Sequence, residues 1–434
     1  MGKRSGRKKD NEAVKYLVNS WDDGGEIYPD ISPRDIAAYF SDWVAICSLK
    51  NASSVAKVPH KMYVARKEAT KSLVRTRRVF GDELKQIESK SHLRKYINKG
   101  VYLEEILEHP FIDLMEKANP FMSGFDLLEM TQLYLEANGN AYWYLYKNSF
   151  GIPIEAWCLP PQNMYVVPSK KNFIEGYIYK NEVGEQIPYD TNEIVHFKFP
   201  NIKSIYTGLA PWQNITGSLK TSKSMDNFES SLFKNNARPE GVLYTENVLG
   251  DKVFERVKKD WQKTYSGSGN AGKTAVLEKG LKYQAITINP KDLAFLEGKK
   301  QIREIIAAAY GVPLSAVTTE NVNLANAVAG EKQYASTTIL PRVLRNEGTI
   351  NEKMLSLYGD NIFISFDNPV PEDKEFKLKE RETYVRLGVR VINEYRREDG
   401  FQDVEWGDKP VSMFSASPVS QGTPSKNSEN SKEE

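Results

Sequence analysis

Gly267-Ser268-Gly269-Asn270-Ala271-Gly272-Lys273-Thr274 fits the phosphate-loop pattern G-x-x-x-x-G-K-[ST] residue for residue. In a working phosphate loop a strand precedes the glycines and a helix follows, so that the helix N-terminus faces the phosphates. Here the order is reversed. Val253, Val257 and Trp261 mark an amphipathic helix before the string, and Ala275-Val276-Leu277 reads as a strand after it. The string therefore reads as a glycine-rich turn, and a nucleotide site is disfavoured. His60, His92, His109 and His196 are scattered, and none pairs with another at metal-ligand spacing. No Gly-x-Ser-x-Gly elbow occurs. Carboxylates are plentiful but lie in charged helical stretches, where a solvated face is their ordinary role. Catalysis is the less favoured class, and no cofactor or metal is implied.

A second kind of chemistry is electrostatic. Lys299 and Arg303 stand four residues apart on one helical face with Lys300 beside them, a stripe able to meet phosphates. One copy would bind DNA poorly; copies in a ring would line a bore with weak, salt-sensitive contacts. The net charge of +2 excludes a bulk polycation, so any DNA contact must come from such local patches. The basic start Met1-Gly2-Lys3-Arg4-Ser5-Gly6-Arg7-Lys8-Lys9 has no apolar core, so it is not read as a signal peptide. No apolar run approaches the ~20 residues that span a bilayer. The two cysteines, Cys47 and Cys158, lie too far apart in sequence to suggest a disulfide framework.

The elements that would carry these residues follow from periodicity. Asn289 and Pro290 open a helix through Ile302, Ile305, Ile306 and Ala309, closed by Gly311 and Pro313. A polar stretch follows: Thr318, Thr319, Glu320, Asn321, Val322, Asn323. A long helix is then marked by Leu324, Val328, Ala335, Ile339, Val343, Ile350 and Met354, with a kink expected at Pro341 and a cost of about 1 kcal/mol at Gly348.

Upstream, within 34–64, Trp43, Val44, Ile46, Leu49, Val55 and Val58 mark an amphipathic helix that stops before Pro59, followed by a strand at Met62. Residues 65–100 are basic and read as a loop or exposed helix. Ser123 to Asp126 makes a capping box for a helix ending at Asn138-Gly139. From Asn140 the period becomes two, and five strands to Phe199 form an antiparallel meander on helices. Gly208-Leu209-Ala210-Pro211 opens a long helix with a narrow stripe of Trp212, Ile215, Leu219, Met225, Phe228 and Leu232. A small strand–helix–strand–strand module follows over 241–288. A strand over 362–366 and a charged helix over 371–387 come after the long helix. A last short helix is capped by Asn393 and closed by Gly400. The fold class is α+β. The first 33 residues and the stretch from Ser412 read as disordered.

Several motifs in serial order resemble the HK97-like family of tailed-phage portal proteins. They are His109-Pro110, Asn119-Pro120-Phe121-Met122-Ser123-Gly124, Gly139-Asn140-Ala141-Tyr142, Leu159-Pro160-Pro161, Glu193-Ile194-Val195-His196 and Gly208-Leu209-Ala210-Pro211. Asn236-Ala237-Arg238-Pro239-Glu240-Gly241-Val242-Leu243, Asn270-Ala271-Gly272-Lys273, Ala309-Tyr310-Gly311-Val312-Pro313, Thr338-Ile339-Leu340-Pro341 and Asn393-Glu394-Tyr395-Arg396 continue the series.

The resemblance implies a portal fold: a disordered basic arm (1–33), an antiparallel β/helix wing (34–210), a first stem helix (211–236), a small α/β clip (237–288) and a second stem helix (289–311). Residues 312–370 would hold the tunnel loop, the long helix above it and a strand returning to the wing; 371–411 would be a helical crown, and 412–434 a disordered tail. It implies a ring of subunits, usually a dodecamer, at one capsid vertex of the virion, assembled in the host cytoplasm. Double-stranded DNA would pass through it non-specifically during packaging and ejection. Partners would be the terminase large subunit, a head-completion or neck protein, the major capsid protein and scaffold, with no membrane. The tunnel loop would be Thr318, Thr319, Glu320, Asn321, Val322, Asn323, Leu324, Ala325 and Asn326, without a lysine or arginine. Lys299, Lys300 and Arg303 would be the channel-facing stem cations. Lys252, Arg256, Lys259, Lys263 and Lys273 would be the clip cations that dock a partner. The competing readings are a packaging ATPase subunit, resting on the 267–274 string, and a monomeric DNA-binding or scaffold protein.

Overall fold

The computed structural model describes residues 32–66, 75–97, 102–169, 172–234, 242–245, 250–265, 282–284, 295–318, 324–359, 361–371, 374–399 and 401–410. In chain order the described elements are α1 (Pro33–Tyr39), α2 (Asp42–Ala56), β1 (His60–Arg66), β2 (Thr76–Arg78), α3 (Gly81–Ser89), β3 (Tyr102–Ile106), α4 (Pro110–Glu116) and α5 (Gly124–Asn138). Strands β4 (Asn140–Lys147), β5 (Pro153–Leu159), β6 (Met164–Ser169), β7 (Phe173–Lys180), β8 (Gln186–Asp190) and β9 (Ile194–Lys198) follow. Next come α6 (Thr216–Lys234), β10 (Val242–Tyr244), α7 (Asp251–Tyr265), β11 (Lys282–Gln284) and α8 (Phe295–Tyr310). The chain continues through α9 (Leu324–Tyr334), a π turn (Ala335–Ile339), α10 (Leu340–Lys353), β12 (Ile362–Phe366), α11 (Lys374–Arg386) and α12 (Ile392–Glu398). Two compact units result: 1–61 with 108–369, and 62–107 with 370–434.

In the first unit α5 forms where the sequence places it. The Ser123 hydroxyl accepts from Asp126 N, and the Asp126 carboxylate accepts from Ser123 N, a reciprocal cap on two otherwise unpaired donors. Gly139 ends the helix at φ +81°. A Cβ there would lie 2.6 Å from the Leu209 carbonyl carbon, so both the backbone sign and the close approach demand glycine. Strand β4 then runs Tyr142-Trp143-Tyr144, and both of its faces are covered. Trp143 is fully buried and its indole N–H donates to Thr131 on α5 at 2.6 Å. Tyr142, on the opposite pleat, clusters with Met164, Val166, Tyr177 and Ile194. Burial on two sides explains the unbroken aromatic run. The expected single meander is instead two antiparallel three-stranded sheets, ordered β5-β4-β9 and β6-β7-β8. The strand β8, hidden by its Gln and Pro, escapes the sequence pattern.

The face of α2 also differs from expectation. Val44, Cys47, Asn51 and Val55 are buried, whereas Ile46 and Leu49 are about half exposed. Position 51 explains this: the inner face carries an asparagine where a hydrophobic pattern search expects an aliphatic residue. A separate short helix, α1, capped by Ser32, precedes α2.

The second unit contains most of the basic stretch that reads as a loop or an exposed helix from sequence. Strands β1 and β2 both pair antiparallel with β3, and α3 lies between β2 and β3 in the chain. Arg66–Glu104 and Arg77–Glu105 ion pairs cross these strands. The charges that make the stretch look solvated are thus matched in sign across a small sheet. At its C-terminal end the expected cap is corrected. Val391, not Asn393, is the N-cap of α12. Asn393 is fully buried, donating to Val404 O at 2.8 Å and accepting from Val404 N at 2.9 Å. Gly400 and the stretch from Ser412 lie outside the described residues.

Candidate functional site: the stem and its anchorage

The two helices expected to form a stem correspond to α6 and α8. A 3-10 turn, Pro211–Ile215, leads into α6, and Trp212 and Leu219 supply its buried contacts. Most of α6 is exposed, as the narrow stripe predicts, and even Phe228 is 43 % exposed. On α8, Ile302 and Ile306 are buried while Ile305 is 41 % exposed. Gly298 of α8 faces Met225 of α6: a Cβ there would stand 2.9 Å from the flexible Met225 Cε.

The predicted cationic stripe is used partly inside the subunit. The Lys299 ammonium pairs with Asp226 at 2.9 Å and with Glu229, both on α6. These hydrogen bonds, Glu229 first, hold its pKa above the ordinary lysine value. Arg303 lies over the Trp43 ring at 5.6 Å. Lys300 is exposed. The acids on α6 were passed over because a helix pair's charge matching depends on which faces meet, and one sequence does not state that.

Just before α6, three of the serial motifs converge. Buried Asn140 accepts at Oδ1 from Gly208 N at 2.6 Å and lies 3.0 Å from His196 Nε2. With Gly208 already donating to that oxygen, His196 supplies its Nε2–H. The imidazole stacks on Tyr142 at 4.3 Å and meets Tyr177 edge-on at 5.8 Å. Desolvation, then the Lys198 charge, pushes its pKa down to about 3, so the ring is neutral. Gly139 O accepts from Phe199 N at 2.8 Å. Together these bonds fix the chain immediately before α6.

Helix α8 is fixed by a buried polar hub that the sequence reading missed. Glu136 on α5 has no solvent exposure. Arg342 on α10 donates Nε to Glu136 Oε1 at 2.6 Å and Nη2 to Oε2 at 3.4 Å. The same guanidinium donates to Tyr310 O at 3.2 Å and Thr338 O at 3.0 Å. Asn51 of α2 also donates to Tyr310 O, at 3.0 Å, and accepts from the Tyr334 hydroxyl at 2.9 Å. Gln132 donates to Glu136 Oε1 at 2.7 Å and accepts from Asn346 at 3.3 Å. Burial, then the Glu136 charge, raises the Tyr310 pKa, so its phenol stays protonated and donates to Glu136 O at 3.3 Å. Phe199 is flanked by Arg342 and Arg345 at 5.8 and 5.0 Å. The C-terminal end of α8 is thereby tied to α2, α5 and α10.

The segment after α8 begins at a second clamp. Gly311 takes φ +67°, and its carbonyl accepts from the Thr338 hydroxyl at 2.7 Å. Thr338 belongs to the π turn, where Leu340 N–H reaches back to Ala335 O. This turn stands directly before Pro341, the residue whose missing N–H and ring disturb regular α pairing. Of the expected inner face of the long helix, Ala335, Ile339, Val343, Ile350 and Met354 are buried, but Val328 is 61 % exposed. Buried Glu347 and Asn351 continue the polar theme: Glu347 accepts from Phe366 N at 2.7 Å, and Asn351 brackets Ile364.

Of the predicted tunnel loop, Thr318 donates to Leu314 O at 3.0 Å. Thr319, Glu320, Asn321, Val322 and Asn323 lie outside the described residues, as do the side chains of Leu324, Ala325 and Asn326. In the predicted clip, β10 pairs antiparallel with β11, and Lys252, Arg256 and Lys259 are exposed on α7. The Lys263 side chain, Lys273 and the rest of the 267–274 string lie outside the described residues. Among the described residues, no cluster of His, Cys, Asp and Glu side chains is placed to hold a metal, and no helix is long and apolar enough to cross a membrane.

These elements are a pair of helices, α6 and α8, joined to a mixed helix-and-sheet domain. The profile of the phage portal protein family matches residues 89–400, and the chain belongs to that family. The HK97 portal protein is 24 % identical over 325 residues, 72 % of this chain and 74 % of its own. An uncharacterized protein of Rickettsia bellii is 27 % identical over 336 residues, 74 % of this chain and 85 % of its own. The fold matches a chain from the neck of an empty gene transfer agent particle computed with C6 symmetry, with TM-score 0.59 and 21 % identity. That match covers 90 % of this chain and 100 % of the other.

Proposed function

We propose that copies of this chain form a portal ring at one capsid vertex and that double-stranded DNA passes through it during packaging and ejection. The observation that carries this reading is the anchorage of the stem. Helix α6, exposed along most of its length, and α8, which leaves Ile305 uncovered, are pinned at one end by Asn140–Gly208 on one side and by the Glu136–Arg342–Tyr310 hub on the other. A rigid strut with uncovered flanks is what a subunit needs when neighbouring copies supply the remaining contacts. The number of copies is proposed as twelve. The exposed cations of α7, Lys252, Arg256 and Lys259, would receive the terminase large subunit and later a neck protein. The wing would face capsid protein and scaffold.

DNA contact through the stem would be weaker than three cations per subunit suggest. Lys299 is matched by Asp226 and Glu229, leaving Lys300 as the exposed lysine of that stripe. A bore with little net charge holds DNA loosely, which suits a polymer that must slide. Residues 318–326 would form the constriction. Negative-stain microscopy and mass photometry of the purified chain test the reading: closed rings with a central channel are expected, and a monomer at every concentration would overturn it.

A further inference from the structure

Within the second unit, α11 and α12 border an apolar groove of about 780 Å³. Leu378 and Val385 line it from α11, Ile392 from α12, and Phe401 from the segment beyond. Leu378 is 69 % and Phe401 62 % exposed, so the described residues leave the groove open. Arg381 on its wall is committed to Asp399, at 2.7 and 2.9 Å. The segment 401–410 is tied back to α12. Asn393 brackets Val404 through its side chain, and its N–H donates to Gly407 O at 3.0 Å. The last described residue, Pro410, ends beside the groove. A Cβ on Gly388 would lie 3.5 Å from Pro410 Cβ, and Gly388 N donates to the O of groove-lining Val385 at 3.1 Å.

The sequence continues Val411-Ser412-Met413-Phe414-Ser415, outside the described residues. Phe414 is the one aromatic residue of 411–434, and no charged residue occurs before Lys426. We infer that this segment turns back along α11 and seats Met413 and Phe414 in the Leu378–Val385–Ile392–Phe401 groove of its own chain. Reach allows it. From Val385 to Leu378 the groove follows about 10 Å of helix, and four extended residues carry Phe414 up to ~13 Å from Pro410. Chemistry agrees. An uncharged segment with one aromatic and one flexible thioether suits an apolar groove whose arginine already has its carboxylate. Seating would remove the apolar surface of Leu378 and Phe401 from water together with that of the segment. The tether decides the occupant: a segment held beside the groove has an effective concentration that a free partner would have to match. Disorder is then the expectation only for the sequence beyond Ser415. The inference concerns one chain and stands apart from the ring reading.

The experiment uses the full chain with Glu382→Cys, an exposed position on the groove wall, and Ser415→Cys together. Mild oxidation should close a disulfide within one chain. The band stays at single-chain size on a denaturing gel, and both introduced thiols are lost until reductant restores them. Cys47 is buried and Cys158 half-buried, which limits background. A tethered tail also meets the groove by chance, so the deciding comparison adds Phe414→Asp, or Leu378→Asp, to the same cysteine pair. Leu378 is exposed, so its substitution does not endanger folding. Each aspartate should slow closure several-fold, because a carboxylate cannot take the apolar contact without losing its water. Failure to close, or a closure rate that either aspartate leaves unchanged, would overturn the seating. Covalent dimers or longer ladders in place of the bond within one chain would overturn it as well, by placing the segment on another copy.

Discussion

Replacing Arg342 by Met tests the buried hub directly. The substitution keeps much of the side-chain volume and removes the charge. Glu136 has no exposed surface and Arg342 keeps 14 % of its side chain accessible, so solvent cannot replace the lost partner. Removing one member of a buried ion pair costs about 3–5 kcal/mol, because the other charge is left uncompensated. Two carbonyls also lose a donor. Tyr310 O retains Asn51 at 3.0 Å, so its loss is partial, whereas Thr338 O loses a bond near the π turn. We therefore expect a loss near ~4 kcal/mol, a fall in the melting temperature of the first unit of roughly 8–16 °C at ~2–4 °C per kcal/mol. Adding Glu136→Gln removes the stranded charge while preserving a partner for Gln132. The double variant should recover to within about 1–2 kcal/mol of wild type, since uncharged replacements of buried pairs are often neutral. Thermal melts of the two single variants and the double, at one protein concentration, complete the cycle. A loss below ~1 kcal/mol in Arg342→Met, or a double variant no better than that single, would refute the role assigned to the pair.

Gly348 and Gly311 should respond oppositely to alanine. A Cβ on Gly348, inside α10, meets nothing within 4 Å, so Gly348→Ala should stabilise by about 0.5–1 kcal/mol in chemical denaturation. Gly311 has φ +67° and would place a Cβ 2.5 Å from Thr338 Oγ1, so Gly311→Ala should cost at least ~1–2 kcal/mol by the same assay. Thr131→Val should cost about 1–3 kcal/mol by leaving the Trp143 indole N–H buried without its acceptor, and a shift in tryptophan emission would accompany it. The depressed pKa of His196 sets a pH dependence. The folded ring stays neutral down to about pH 3, while the unfolded ring takes a proton near pH 6.5, so stability is full above 6.5 and falls as pH drops toward 3. With its partial exposure discounted, the contribution lost by pH 5 is on the order of 1 kcal/mol, seen as a melting-temperature drop that His196→Gln reduces.

The legible parts of the fold are those where a local rule decides. The Ser123–Asp126 box, the Gly139 stop and the period-two run from Asn140 each depend on neighbours a few residues away, and the structure places all three as read. The helix over 251–265 before the glycine string is present as well, which is the half of the reversed order that falls within described residues. Illegible parts depend on partners far along the chain. Basic residues over 65–100 look solvated until Glu104 and Glu105 arrive across the sheet. Glu136 resembles any helix carboxylate until Arg342, 206 residues later, meets it.

The same distinction explains why the motif series was more informative than any single pattern within it. Gly139-Asn140, His196 and Gly208 are far apart in the chain, and none has a chemical role alone. In space, Asn140 Oδ1 serves both Gly208 and His196, and Gly139 leaves room for the Leu209 backbone. Each of these residues meets the others in the bonds that hold the chain just before Pro211. The Walker-like string is the converse case: eight residues match a pattern perfectly, yet α7 stands on the wrong side of it. Spacing within a string reports local backbone geometry. Only residues whose partners are also present, at the right positions elsewhere, report a built site.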